Sequence, residues 1–207
     1  MARSDVPDIV IGRLPIYLRA LARMQQDGQV ITSSHELGER LGISSAQIRK
    51  DLSHFGEFGK QGTGYRVDTL AAELQRILKV DREWKVALIG IGDLGRAIAN
   101  YGGFAHRGFR ITRLFDADDS KIGQSVGDLR IEPLDDLEQR VRRDGIRVAM
   151  IATPADNAQE VAEVLVKAGV QAILNYAPII LSVPDSVRVQ YIDPGLHLQR
   201  MTFYVND

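Results

Sequence analysis

The chain contains no cysteine. That excludes disulfides, thiolate metal sites and a cysteine nucleophile, and any redox response it makes must work without a thiol. It also lacks a run of 18 or more apolar residues, so no membrane span is expected, and its N-terminus lacks a secretory-leader pattern. Charge of one sign is missing too: 26 Lys/Arg stand against 27 Asp/Glu, a net of −1. The molecule as a whole is therefore no electrostatic binder of polyanions. Internal repeats and low-complexity tracts are absent. What is present is an ordinary globular composition, 44% hydrophobic and 26% charged over 207 residues, enough for one large domain or two modest ones.

The two ends differ in character. Residues 1–80 carry 11 Lys/Arg against 9 Asp/Glu, whereas residues 81–207 carry 15 against 18. A domain boundary is expected near Val80–Trp84, separating a module over 1–80 from a second over 81–207. In the first, Leu14, Leu18, Leu21 and Met24 recur at helical spacing between Ile9 and Gln26, with Pro15 implying a kink or a helix start. Ser33 with Glu36 fits a capping box for a short helix ending at Gly42; Ser44 with Gln47 fits another, for a helix through about His54. Helix, tight glycine turn and helix make a helix-turn-helix, whose second helix enters the DNA major groove.

The faces of that second helix agree with this reading. Ile48, Leu52 and Phe55 would pack inward. Ser45, Gln47, Arg49, Lys50, Ser53 and His54 remain outside, a set suited to bases and phosphates. The alternative is a merely polar helix surface. Against it stands the following stretch from Gly56 to Val67, whose four glycines suit a β-hairpin. A hairpin there makes a winged helix with Lys60 and Gln61 at the wing tip, near the minor groove. A helix from Asp68 to about Lys79 leads out.

In the second module, the strand Lys85–Ile89 runs into Gly90-Ile91-Gly92-Asp93-Leu94-Gly95 and then a helix. That is the GxGxxG context of a dinucleotide site: Gly90 for the turn, Gly92 for close approach of a pyrophosphate, Gly95 for helix–strand packing. The next strand, Ile111–Phe115, ends in Asp116. An acid at that spacing bonds the adenine ribose and disfavours a 2′-phosphate, selecting NAD over NADP, although Arg113 nearby would suit a phosphate. Asp116 read alone would be a strand-end turn residue. Strands and helices then alternate, which implies a parallel sheet with its ligand at the strands' carboxyl ends. Thr153, Pro154 and Asn175 fall at such ends and are candidates to line the nicotinamide side; otherwise they are loop and cap residues.

Over nearly its whole length the chain resembles the Rex redox-sensing transcriptional repressors. The likeness is carried by 13–19 (RLPIYLR), 48–56 (IRKDLSHFG), 62–65 (GTGY), the glycine loop, Phe115-Asp116 and 175–178 (NYAP). The resemblance implies an α/β protein: an N-terminal winged helix-turn-helix domain plus a C-terminal Rossmann-type parallel sheet, with a C-terminal helix (about 195–204) swapped between the subunits of a homodimer. It implies a cytoplasmic repressor of double-stranded palindromic operator DNA, with NADH and NAD as cofactors and NADH as the releasing one. It also implies a switch contact among Arg19, Tyr101 and the partner's Asp193. Two departures from the family pattern are Gln61, where a basic wing-tip residue is common, and Pro194, where relatives can carry an aromatic.

Two rival functions are weaker. An NAD-dependent dehydrogenase needs a substrate domain and an acid or base near the nicotinamide. Residues 81–207 are taken up by the sheet itself, and the four histidines have no carboxylate partner at telling spacing, so no catalytic residue and no metal are assigned. A CoA-binding Rossmann domain shares the glycine loop but does not require Asp116.

Overall fold

The structure is a computed structural model of the chain, and it describes residues 6–58 and 64–205. Two compact units divide it, Met1–Arg82 and Glu83–Asp207.

In the first unit, α1 (Asp8–Gln26) runs unbroken through Pro15, which lies on its exposed side. Its buried positions, Val10, Leu14, Tyr17, Leu21 and Met24, repeat every three or four residues, as one core-facing stripe requires. The helix-turn-helix follows as α2 (Ser34–Leu41) and α3 (Ser45–Ser53). Both predicted caps form: Ser33 Oγ accepts from Glu36 N–H, and Ser44 Oγ accepts from Gln47 N–H. The reciprocal arm of the first capping box does not, because Gln29 and Thr32 take the Glu36 carboxylate. Gly42 turns the chain at φ +67°, a conformation that costs glycine nothing and other residues about 1–2 kcal/mol. A Cβ on Gly38 would overlap the Ile43 carbonyl oxygen, so glycine here lets α2 sit directly on the turn. α4 (Val67–Leu78) closes the core through Val67, Leu70, Ala71 and Leu74.

The sequence reading missed a strand, β1 (Ile31–Thr32), ahead of α2. It pairs antiparallel with β2 (Tyr65–Arg66), the strand descending from the expected wing. The wing tip, with Lys60 and Gln61, lies outside the described residues.

The second unit is built on a seven-stranded sheet: β3 (Trp84–Ile89), β4 (Phe109–Asp116), β5 (Ser125–Val126), β6 (Leu129–Pro133), β7 (Val148–Ile151), β8 (Ala172–Asn175) and β9 (Arg188–Tyr191). Their order is β5-β6-β4-β3-β7-β8-β9. Every pair is parallel except β5–β6, the short edge hairpin. Without β5 this is the 3-2-1-4-5-6 order of a Rossmann sheet, reversing direction between its first and fourth strands. Strand β3 is buried on both faces: Val86 and Leu88 join one core cluster, Ala87 and Ile89 the other. Helices α6 (Leu137–Arg143) and α7 (Ala155–Lys167) cover the second cluster, and α5 (Asp93–Ala99) covers the first through Ile98. Each buried Val, Leu or Ile side chain of these clusters contributes roughly 1.5–3 kcal/mol. The last helix, α8 (Pro194–Thr202), buries none of its residues.

Candidate functional site

The strand order reverses between β3 and β7, and a crevice of about 850 Å³ opens there at the carboxyl ends of the strands. Gly90, Gly92, Asp93 and Leu94 line it, with Asp116 from the end of β4 and Thr153 and Pro154 from the turn between β7 and α7. The three glycines have separate physical reasons. Gly90 adopts φ +91°, and a Cβ on it would stand 2.7 Å from the Ala152 carbonyl. A Cβ on Gly95 would overlap the Gly90 carbonyl oxygen, so α5 can approach β3 only without one. Gly92 is different: a Cβ there would meet nothing within 4 Å. Its backbone faces open space that a phosphate can fill.

Asp116 is 7% exposed. Its Oδ2 accepts from Ile91 N–H at 2.7 Å and from Lys121 Nζ at 3.2 Å, and its Oδ1 accepts from Asp118 N–H at 2.9 Å. Burial pushes its carboxyl pKa up. The two backbone N–H groups and the Lys121 ammonium outweigh that and hold it below the ordinary aspartate value. The carboxylate is thus ionised and retains acceptor capacity for a ribose hydroxyl. Lys121, which the sequence reading did not single out, lines the crevice beside it. Arg113 does not: Glu132 and Asp144 hold its guanidinium at 2.8 and 2.7 Å. Thr153 Oγ1 is buried with no hydrogen-bond partner among the described residues, a polar atom that a dinucleotide amide or phosphate would satisfy. The crevice therefore fits a dinucleotide.

Not every predicted residue lines this space. Ile91 is buried and contributes its N–H to Asp116. Asn175, expected at the nicotinamide side, is not among the residues that line this crevice. Its amide Nδ2 donates to the Ala177 and Ile179 carbonyls, and its Oδ1 accepts from Ala177 N–H. At 1% exposure the Asn175 side chain clasps its own turn.

On α3, Arg49, Lys50 and Ser53 are exposed, while Ser45, Gln47 and His54 are half-buried at the flanks. Arg49 Nη1 reaches Ser34 Oγ at 2.9 Å, and Ser53 Oγ donates to the Lys50 carbonyl. Beneath them lies a group the periodicity did not reveal. Asp51 is fully buried between Ile48 and Leu52 and faces Arg13 and Tyr17 of α1.

Arg19 is exposed on α1 in the first unit. In the second, Tyr101 is 51% exposed and packs edge-on against Phe104 at 5.0 Å. Asp193 caps α8, its Oδ1 accepting from Gly195 N–H at 2.8 Å. His35 does have a carboxylate neighbour, Glu39 at 3.4 Å, but both are surface groups. Among the described residues no cluster of three or more His, Asp or Glu could hold a metal ion.

A helix-turn-helix and a dinucleotide-type Rossmann unit in one chain define a ligand-responsive transcription regulator. Family models match both parts: a putative DNA-binding protein N-terminus over residues 5–53, and a CoA binding domain over residues 81–179. The redox-sensing transcriptional repressor Rex of Chloroflexus aurantiacus is 53% identical over 99% of this chain and 97% of its own. That of Streptomyces coelicolor is 43% identical over 96% of this chain and 77% of its own. A solved structure of RSP in complex with β-NAD+ and operator DNA superposes with a TM-score of 0.92 at 38% identity, covering 96% of this chain and 92% of that one. RSP with β-NADH gives 0.88 at 36% identity, over 97% and 94%. The chain belongs to the Rex family of redox-sensing transcriptional repressors. Both of these relatives are named as transcriptional repressors rather than as enzymes.

Proposed function

We propose that this chain holds palindromic operator DNA when NADH is scarce relative to NAD+ and leaves the DNA when NADH fills the crevice. The observation that carries this is the pairing of the open backbone at Gly92 with the ionised Asp116, on the same chain as a doubly capped helix-turn-helix. The carboxylate suits a free ribose hydroxyl and repels a 2′-phosphate. Relatives solved with β-NAD+, β-NADH and operator DNA support the same cofactors and partner.

The exposed apolar residues of α8 and the tail beyond it support a homodimer. Leu196, Leu198, Met201, Phe203, Tyr204 and Val205 are each at least 62% exposed, an apolar face a lone chain leaves in water. A second copy covering it, with the helix swapped, gives the two-fold symmetry that a palindromic operator mirrors. Arg19, Tyr101 and the partner's Asp193 would then form the switch between cofactor and DNA domains. The protein works in the cytoplasm, where its DNA is, and among the described residues no helix is long and apolar enough to cross a membrane.

The test is fluorescence anisotropy of a labelled palindromic duplex with purified protein, titrating NADH and then NAD+ at fixed salt. Release by NADH with NAD+ much weaker is the expected result. The CoA binding match over 81–179 supplies the second reading. Displacement of NADH by CoA, whose adenosine carries a 3′-phosphate, would favour it.

A further inference from the structure

The buried carboxylate of Asp51 has four hydrogen bonds. Its Oδ2 accepts from Arg13 Nε at 2.5 Å and Tyr17 Oη at 2.6 Å, and its Oδ1 from Arg13 Nη2 and Gln47 Nε2, both at 2.7 Å. An ionised carboxylate offers about four lone-pair sites and no donor, so every site is filled. It is also ionised: burial pushes its pKa up, but the bonds from Arg13, Tyr17 and Gln47 outweigh that and hold it low.

This has a consequence for Gln47. Its amide can meet Asp51 only through its NH2 group, because turning the carbonyl inward would set Oε1 against a filled, negatively charged acceptor. One amide N–H and both lone pairs of Oε1 are left facing away from Asp51. Gln47 is half-buried in the first turn of α3, the end from which recognition helices read bases. In the major groove, only adenine offers an acceptor beside a donor, N7 and the N6 amine; guanine offers two acceptors, N7 and O6. A freely turning glutamine could give both N–H groups to guanine, but one held by Asp51 cannot.

We infer that Asp51, anchored on α1 by Arg13 and Tyr17, is a positioning residue that locks the Gln47 amide in the polarity that reads adenine and rejects guanine at one position of each operator half-site. The inference rests on the DNA-binding reading above. Since Asp51 touches no base, its effect is on specificity: it removes the alternative state of the residue that does.

The experiment is selection of a random-core duplex pool by the full-length protein, wild type and variants, followed by affinities for single-base changes. Wild type should prefer adenine over guanine by about ten-fold or more at one half-site position. Gln47→Ala should lose that preference there and leave the others intact. Asp51→Asn, whose amide can donate to Gln47 Oε1, should let guanine in at the same position. If Asp51→Asn fails to fold, as judged by NADH titration and thermal melting, the double variant Arg13→Met with Asp51→Asn, which removes the buried charge together with its partner, should still narrow the adenine preference at that position. A merely structural Asp51 would lower affinity equally at every position and leave the preferences unchanged, which would overturn the inference. So would a Gln47→Ala profile identical to wild type. If wild type enriches no duplex at all, the DNA-binding reading itself has failed.

Discussion

The carboxylate of Asp116 lies 2.7 Å from the backbone nitrogen of Ile91, so the residue at the end of the second Rossmann strand ties down the phosphate loop of the first. The same side chain that would meet the ribose also sets the shape of the loop that would meet the pyrophosphate. Asp116→Ala should therefore do two things at once. It orphans the N–H groups of Ile91 and Asp118, at about 1–3 kcal/mol each, and removes the charge that opposes a 2′-phosphate. Asp116→Asn keeps the size and removes the charge. In fluorescence titrations both variants should discriminate less between NADH and NADPH, by about ten-fold. The asparagine variant keeps one acceptor for the Ile91 and Asp118 N–H groups and loses the other, so its melting temperature should fall by less than that of the alanine variant. A full preference for NADH in both would show that Asp116 is not the selector.

Two glycines of one loop should respond oppositely to the same substitution. Gly92→Ala adds a methyl group to open space, so the fold should tolerate it within about 0.5 kcal/mol while NADH binding is lost or severely weakened. Gly90→Ala combines a left-handed backbone with a clash on the Ala152 carbonyl. It should destabilise the protein by about 1–2 kcal/mol or more from the backbone alone. Thermal melts beside cofactor titrations separate the two.

The Asp51 network should appear as acid sensitivity. Its folded pKa lies below the ordinary aspartate value of about 3.9, so the unfolded state binds the proton first. The stabilisation is complete above about pH 4 and is lost as pH falls through the lower, folded value. Asp116 acts in the same direction. Unfolding midpoints should owe no pH dependence to these two groups between pH 5 and 7, and should drop below pH 4. Asp51→Asn should be less stable at neutral pH and show a shallower acid limb. An unchanged acid limb would mean that the carboxylate is not ionised in the fold.

Asp193 has a local duty that complicates its role as a switch. It caps α8 through Gly195 N–H, so Asp193→Ala loses a cap, at about 1 kcal/mol, as well as a charge. Asp193→Ser retains a capping oxygen and removes only the charge. If the charge pairs with Arg19 of the other subunit, Asp193→Ser and Arg19→Ala should weaken operator binding alike, with NADH affinity kept. Full operator affinity in both variants would remove this contact from the switch.

The sequence by itself determined the elements, because their signals are local. Ser33 and Ser44 announced two helix starts, Gly42 a helix stop, and the strand–GxGxxG–helix run together with Asp116 a dinucleotide crevice. Each rests on hydrogen bonds or backbone angles within a few residues, or on a spacing fixed by one βαβ unit. Strands β1 and β5 escaped notice because two residues carry no periodicity. Tertiary structure alone decided the partners of the polar groups. Asn175 looked like a ligand contact, yet its amide closes a turn; Arg113 looked suited to a phosphate, yet Glu132 and Asp144 hold it. Asp51 interrupts an apolar face with nothing local to say why, and its reason lies 38 residues away in Arg13. A buried charge is tolerated only where donors from distant segments converge on it, and no window of sequence contains that convergence.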